Sequence, residues 1–161
     1  MMLKIKQTVS KLALFRLAAL SQALLLSGQW LPDRKMLEMG LRTLDWLKRV
    51  QTDACGRHFA AIGNQGWFTR NGEKARFDQQ PIEVLNLIEA CRKAYEATND
   101  AKWLNHAQRC LEWFLGRNDL NAPLYDHNTG GCCDGLHADG PNLNQGAEST
   151  LVCFLSLLNI H

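Results

Sequence analysis

An internal repeat is the sequence feature that most restricts how this chain can fold. Trp46 and Trp113 occur in matching helical runs 67 residues apart, and two Gln-x-x-Glu motifs end at Glu83 and Glu148, 65 residues apart. Two independent matches at nearly the same offset indicate a repeated supersecondary unit. Because a single unit of this size cannot bury its own apolar face, the repeat predicts units that stack side by side.

Helical periodicity dominates the chain, and the segments between the helices are rich in Gly. The pattern predicts helices over about residues 3–27, from Pro32 and Asp33 to about 51, over 81–98, over 101–116, and from near Gln145 to the C-terminus. The two long loops, about 55–76 and 117–143, separate the repeats, and a short hairpin is expected near residues 66–69. Each unit is therefore helix, short turn, helix and long loop.

This unit predicts an all-α fold. The short Asn99-Asp100 turn makes the helices on either side antiparallel neighbours. A ring of such hairpins forms two concentric helix layers, an α/α-hairpin toroid. We predict one domain over residues 1–161, a partial ring of about five helices that is the C-terminal part of a larger toroid. Its open edges should expose apolar surface and favour homo-oligomers.

Composition and charge exclude several classes of function. The formal net charge is only +2, with acids and bases interspersed, so no nucleic-acid partner is expected. The apolar run over residues 12–26 is interrupted by Arg16 and Gln22, and it is too short for a membrane span. We interpret this run as a core helix, with a signal peptide as the alternative.

The six cysteines do not form a metal-binding or disulfide framework. Cys91, Cys110 and Cys153 lie within apolar helical patterns, where Cys behaves as a small hydrophobic residue. No Cys-x-x-Cys occurs, and the five His are not at zinc-ligand spacing. We therefore expect no metal, no cofactor and reduced thiols in the cytoplasm. Three tryptophans on helical stripes are also predicted to be core: Trp46, Trp103 and Trp113.

The candidate site lies where the two inner helices begin, because both follow long loops and open on the same end of the ring. Four carboxylates are candidate catalytic groups: Asp78, Asp134, Glu83 and Glu148. Amide, imidazole and aromatic side chains are candidate substrate-binding groups: Gln79, Gln80, Trp67, Tyr125, His137, Asn144 and Gln145. Such a set suits a sugar, whose hydroxyls need donors and acceptors and whose C–H face packs on aromatic rings.

Helix capping is the alternative role for these Glu residues. Pro81 favours the first helical position, so Gln80 becomes the N-cap, and Glu83 can fold back onto the N–H of that cap. Glu148 stands in the same relation to Gln145. Structural alternatives apply to other polar residues too: a helix cap for Asp78, turns for Asp119, Asp126 and Asp134, and a surface or packing position for His106. His58 is a weaker site candidate than the carboxylates.

Catalysis at this site would use two carboxylates that flank a glycosidic oxygen, one as acid and the other as base or nucleophile. Asp78 and Asp134 are the preferred pair, since capping accounts for each Glu about as well as substrate contact does.

Seven short runs together resemble a known family. They are GWF at 66–68, FDQQPIE at 77–83, WFLGRNDL at 113–120, LYD at 124–126, TGG at 129–131, DGL at 134–136 and NQGAEST at 144–150. They resemble the C-terminal helical domain of a group of bacterial glycosyltransferases, itself similar to six-hairpin glycosidases. The resemblance covers about residues 12–160. It implies a toroid, a role in carbohydrate metabolism, and a glycosyltransferase as parent chain or partner.

The sequence itself contains no βαβ pattern and no Gly-rich phosphate loop. We therefore predict a carbohydrate-active domain that binds or processes a glycan. The alternatives are a non-catalytic binding or assembly module, and a truncated remnant without activity of its own.

Overall fold

The structure, a computed structural model, describes residues 17–66, 68 and 72–160. The described part is mostly helical, which confirms that prediction, and it adds one small antiparallel sheet. Its elements are α1 (Leu17–Trp30), α2 (Arg34–Val50), α3 (Pro81–Thr98), α4 (Lys102–Glu112), β1 (Leu136–His137), β2 (Gly140–Pro141) and α5 (Ala147–Leu158). The part of the first predicted helix before residue 17 lies outside the described residues.

The first hairpin is formed by α1 and α2, which pack closely along their lengths. The Asp33 side chain caps α2 by accepting hydrogen bonds from the backbone N–H groups of Lys35 and Met36, at 2.8 and 3.2 Å. This cap explains why α2 begins at Arg34, directly after the Pro-Asp pair. The buried side of α2 carries Leu44 and Leu47.

The second hairpin is formed by α3 and α4. Asn99 ends α3 in the left-handed conformation (φ 54°), and the Asp100 carboxylate then accepts a hydrogen bond from the Lys102 backbone N–H at 3.0 Å. The α-helical part of α4 ends at Glu112, four residues earlier than predicted. The chain continues instead in tighter turns, such as the bond from the Phe114 N–H to the Leu111 carbonyl at 3.1 Å.

The core is centred on α3, which packs against α1, α4 and α5. Its fully buried side chains include Val84, Leu87, Ile88, Cys91 and Ala94. A helix that is buried on most of its circumference has to be apolar nearly all round. The described part of the chain therefore holds two hairpins and a further single helix.

The predicted core residues are largely inside. Trp103 and Trp113 are buried, while Trp46 is half-buried and packs against Phe68 with ring centroids 6.2 Å apart. The three cysteines predicted as core, Cys91, Cys110 and Cys153, are buried free thiols. His106 is also buried, edge-on to Phe59, and burial lowers its pKa to about 3.

The first long loop folds back on itself at Gly63. The Gly63 N–H donates to the Ala75 carbonyl at 2.8 Å, and a Cβ at position 63 would overlap the carbonyl oxygen of Phe77. Only glycine allows two backbones to approach so closely. Near the predicted hairpin at 66–69, Phe68 pairs with Lys74 in a single antiparallel bridge.

The second long loop is joined to the start of α3. The backbone of Gln79 exchanges two hydrogen bonds of 3.0 Å with the backbone of Leu136, which is the first residue of β1. The first long loop contacts the second as well, through the hydrogen bond from Arg76 to the Asp119 carboxylate at 3.1 Å. The candidate site residues that the structure describes lie in the second long loop and at the starts of α3 and α5.

Two surface properties complete the fold. The outer side of α5 exposes Leu151, Phe154 and Leu158, which lie on one face of the helix. None of the described helices combines the length and the apolar character that crossing a membrane requires.

Candidate functional site

A cleft of about 330 Å³ lies between the starts of α3 and α5. We call it the inter-helix cleft. Its lining includes three polar residues predicted for the site, Gln80, Asp134 and Glu148. The remaining lining residues are Pro81, Ile82, Gly146, Ala147, Ser149 and Val152. Two helix starts that match in the repeat therefore face one another across a shared depression.

Asp134 anchors the first turn of α5. Its carboxylate accepts hydrogen bonds from the Ser149 side chain, the Asn144 side chain and the Gly146 backbone N–H, the last at 2.8 Å. Together these donors hold the pKa of Asp134 below its ordinary value, against the opposing effect of burial. Asp134 is therefore an ionised group that positions the helix start as well as lining the cleft.

Glu148 is exposed and also lines the cleft. The N-cap of α5 is Gly146, one residue later than predicted, so Glu148 is the second helical residue and not the third. A carboxylate in the first helical turn is favoured by the helix dipole. The capping hydrogen bond that was the alternative role for Glu148 is not formed with any described residue.

A second polar cluster adjoins the cleft through Gln80. The Gln80 amide donates to the Asp78 carboxylate at 3.3 Å, and His137 Nε2 lies 3.2 Å from the same Asp78 oxygen. Asp78 has a left-handed backbone (φ 65°), a conformation that Asp tolerates better than most residues. The structure thus places Asp78, Gln80 and His137 together.

Glu83 does not reach the cleft. Its side chain is buried at 6% exposure, and burial raises its pKa to about 8. One carboxyl oxygen lies 3.4 Å from the Gln51 amide nitrogen, and the other has no hydrogen-bond partner among the described residues. Gln80, the N-cap of α3, has no side-chain capping bond either. Glu83 is therefore a protonated interior acid at neutral pH, and not a capping group.

Gln79 also lies away from the cleft, in a buried network. Its amide nitrogen donates to the Arg76 carbonyl and to the Asp119 carboxylate, both at 2.7 Å, and its amide oxygen accepts from the Trp113 indole at 2.7 Å. Both amide hydrogens are thus used inside the protein. Asp119, which the sequence suggested as a turn residue, is an internal acceptor in this network.

Gln145 and Asn144 hold the second long loop. The Gln145 amide donates to Asp126 at 3.1 Å and accepts from the Thr129 hydroxyl at 2.7 Å. The Asn144 amide donates to Asp134. The bond from Gln145 contributes to a lowered pKa of Asp126, behind the larger effect of the Asn128 backbone N–H.

The aromatic candidates do not line the cleft. Tyr125 is half-buried and packs edge-on against His127, with ring centroids 4.8 Å apart. Its backbone pairs with Cys132 within the second loop. Trp67 lies outside the described residues.

A larger cavity was not predicted from the sequence. It has a volume of about 730 Å³, and we call it the basic pocket. It is lined by Thr52, Asp53, Ala54, Cys55, Arg57, His58, Ala60, Lys74, Arg76, Arg117, Asn118, Asp119 and Asn121. Its cations are scattered over three loop segments, so no local motif signals it. His58, the weaker candidate, lies here and not in the cleft.

No cluster of three or more His, Cys, Asp or Glu side chains within residues 17–66, 68 and 72–160 is arranged to hold a metal ion. Comparison with known protein families finds no family model that matches this chain. No curated protein matches it either. The resemblance to the helical domain of bacterial glycosyltransferases therefore stays a prediction.

Proposed function

We propose that the chain is a carbohydrate-active domain whose inter-helix cleft binds a glycan. The observation that carries this proposal is the meeting of Gln80, Asp134 and Glu148 in one cleft. Carboxylates accept hydrogen bonds from sugar hydroxyls, and an amide both donates and accepts. Gln80 and Glu148 come from two separate helix starts and Asp134 from the loop that precedes α5, so a ligand between them would be held from both sides.

The charge and size of the cleft favour a small, uncharged, hydroxyl-rich ligand. Asp134 is ionised and Glu148 is an exposed acid, so a phosphate or carboxylate ligand would be repelled. A volume of 330 Å³ is at the small end of ligand sites. A short stretch of glycan at the cleft mouth meets both conditions.

Binding without catalysis is the better supported role. A glycosidase needs one carboxylic acid with a raised pKa and one ionised carboxylate on either side of the bond. Asp134 fits the ionised role, but the acid with a raised pKa, Glu83, is buried away from the cleft. Glycoside hydrolysis is the second candidate, because two carboxylates do line one cleft and Glu148 could protonate a leaving group there.

Calorimetric titration with a panel of neutral oligosaccharides tests the binding proposal. Glu148→Gln should weaken the affinity about tenfold, because a hydrogen bond to a charged acceptor becomes one to a neutral amide. The fold should be unaffected, since this side chain is exposed. Glu96→Gln is the matched control, because Glu96 is an exposed acid in the last turn of α3, away from the cleft. Equal losses in both variants, or binding by neither variant nor wild type, would refute the proposal.

Release of reducing sugar from the same oligosaccharides tests hydrolysis. If the chain is an enzyme, Asp134→Asn should lower turnover by about a hundredfold or more. Should turnover survive both Asp78→Ala and Asp134→Ala while sugar binding falls, these two carboxylates are not catalytic, and their role in binding stands.

We also propose that the helices form part of an α/α toroid with a glycosyltransferase as parent chain or partner. The packing of α1, α3 and α5 side by side, with α2 and α4 joined to them by short turns, supports this arrangement. The exposed apolar face of α5 supports self-association through an open edge. The six free thiols support a cytoplasmic location.

A further inference from the structure

We propose that the basic pocket binds a phosphate group. This site is distinct from the inter-helix cleft, and the proposal does not depend on the carbohydrate ligand of that cleft. It rests on the position of the charges that line the pocket, on the hydrogen bonds that already occupy its carboxylates, and on a half-buried lysine.

The cations of the basic pocket face solvent, whereas its carboxylates face the protein. The side chains of Arg57, Arg76 and Arg117 are 74%, 62% and 65% exposed. Those of Asp53 and Asp119 are 8% and 7% exposed. A ligand that enters the pocket therefore meets mainly positive charge, although the chain as a whole carries a net charge of only +2.

The carboxylate of Asp53 is occupied by hydrogen bonds within its own loop. It accepts hydrogen bonds from the backbone N–H groups of Cys55, Arg57 and His58. Burial alone would raise its pKa, but these three bonds outweigh it and lower the pKa to about 2. The Asp53 carboxylate therefore holds its loop in place by accepting from three backbone N–H groups. Its hydrogen bond to the Arg57 side chain is long, at 3.4 Å.

The carboxylate of Asp119 is likewise occupied by hydrogen bonds within the protein, in the Gln79 network. It accepts from the Gln79 amide at 2.7 Å and from Arg76 Nε at 3.1 Å. A second bond, from an Arg76 terminal nitrogen to the Asp119 carbonyl at 3.5 Å, fixes the same edge of the guanidinium, while the side chain stays 62% exposed at the pocket lining. A guanidinium held in this way is preorganised for the paired hydrogen bonds that a phosphate accepts.

Lys74 supplies the least solvated cation of the pocket. Its ammonium donates to the Ala60 carbonyl at 2.9 Å, which uses one of its three hydrogens. Burial lowers the pKa of Lys74, and the negative charges of Asp119 and Asp53 only partly oppose that effect. A bound anion would stabilise the charged form of this lysine.

A phosphate is the anion class that fits best. Four cations from three loop segments line one cavity, and a phosphate offers three acceptor oxygens with a charge near −2. The cavity of about 730 Å³ has room for a substituent beyond the phosphate itself. Inorganic phosphate, pyrophosphate and a phosphorylated sugar share this chemistry, and the last of these rests on the proposed carbohydrate function.

Titration calorimetry of the full chain with pyrophosphate at low ionic strength tests the proposal. Arg57→Gln and Arg117→Gln should each weaken binding about tenfold, because each removes charge-assisted hydrogen bonds, and the double variant should weaken it by roughly a hundredfold. Arg49→Gln is the matched control. Its side chain is 67% exposed and paired with one carboxylate, as Arg117 is, but it lies on α2 outside the basic pocket.

Binding by the wild type that is lost in the double variant but kept in Arg49→Gln supports the proposal. The proposal is overturned if pyrophosphate does not bind, or if Arg49→Gln loses as much affinity as the double variant. Equal affinity for sulfate, citrate and heparin also overturns it, because it would indicate a nonspecific polyanion surface. Titration with glucose 6-phosphate and, in parallel, with glucose shows whether the phosphate comes from a sugar phosphate. If pyrophosphate binds and glucose 6-phosphate does not, the phosphate site stands and only the sugar-phosphate ligand is excluded.

Discussion

The two Gln-x-x-Glu helix starts match in sequence but differ in their surroundings. At the start of α3, Glu83 is buried and protonated, and its pKa is about 8. At the start of α5, Glu148 is exposed and lines a cleft. The residues directly before the two motifs differ in burial in the same way: Gln79 is fully buried and Asn144 is exposed.

Two physical causes separate the starts. The α3 start lies between neighbours, with Gln51 at the end of α2 against Glu83 and the second loop against Gln79. The α5 start has packed neighbours on fewer sides among the described residues. In addition, α5 begins one residue later in its motif than α3 does, which turns the Glu by about 100° relative to its helix start. A repeat in sequence therefore predicts equivalent positions, whereas the neighbours of each copy decide the role.

The largest contrast between the two starts should be seen at Gln79 and Asn144. Gln79→Ala leaves the Trp113 indole and the Asp119 carboxylate without a buried partner, and it should lower the free energy of unfolding by about 3 kcal/mol. Asn144→Ala should cost at most about 1 kcal/mol, because that side chain is exposed. Urea unfolding of both variants measures the difference. Equal costs would mean that the two starts are energetically equivalent.

The next contrast is in pH dependence, and it concerns Glu83 and Glu148. The pKa of Glu83 is raised from 4.5 to about 8 in the folded protein, so folding retains a proton that the unfolded chain releases. This carboxyl therefore lowers the free energy of unfolding as the pH rises between those two values. Wild type should lose about 2–3 kcal/mol relative to Glu83→Gln between about pH 6 and pH 8.

Glu148→Gln is the control for this pH experiment, because its side chain is exposed. Its unfolding free energy should follow that of wild type at each pH. If Glu83→Gln also follows wild type, the buried carboxyl does not titrate in this range.

The smallest of the three effects concerns how the α5 start is anchored. Asp134→Ala removes the acceptor for the Gly146 N–H and for two side chains, and it should cost about 1–2 kcal/mol at neutral pH. Because the folded pKa of Asp134 is lowered, its contribution is present above the unfolded pKa and is lost as the pH falls through the folded value. The cost, measured by thermal unfolding, should therefore shrink in acid.

Asp139→Ala provides the matched change for Asp134→Ala, since Asp139 is an exposed acid in the turn between β1 and β2 of the same loop. It should change stability by less than about 0.5 kcal/mol. A comparable loss in both variants would show that Asp134 has no special anchoring role.

Periodic patterns made the helices predictable from sequence. The bounds of α3, the start of α2 at the Pro-Asp pair, the Asn99 turn and the buried cysteines all follow from apolar spacing and local sequence signals. These features depend on residues within a few positions of one another, so a single sequence contains the information that specifies them.

The polar interior and the basic pocket could not be predicted in this way. The bond between Gln79 and Asp119 spans 40 residues, and the one between Gln51 and Glu83 spans 32. Both depend on how two irregular loops pack together. The sequence therefore indicated which polar residues lie at the helix starts, but whether Gln79 and Glu83 are buried or face a ligand depended on tertiary contacts alone.

The close approach at Gly63 also limits how this sequence can change. Any larger residue at that position must separate two chain segments, one leading from the buried Phe59 and the other leading to Asp78. The neighbouring residue Gln65 is exposed and has no such restriction. Under random mutation and selection, position 63 should stay glycine while position 65 accepts many residues. The lack of space for one Cβ atom therefore restricts sequence change at this point of the loop.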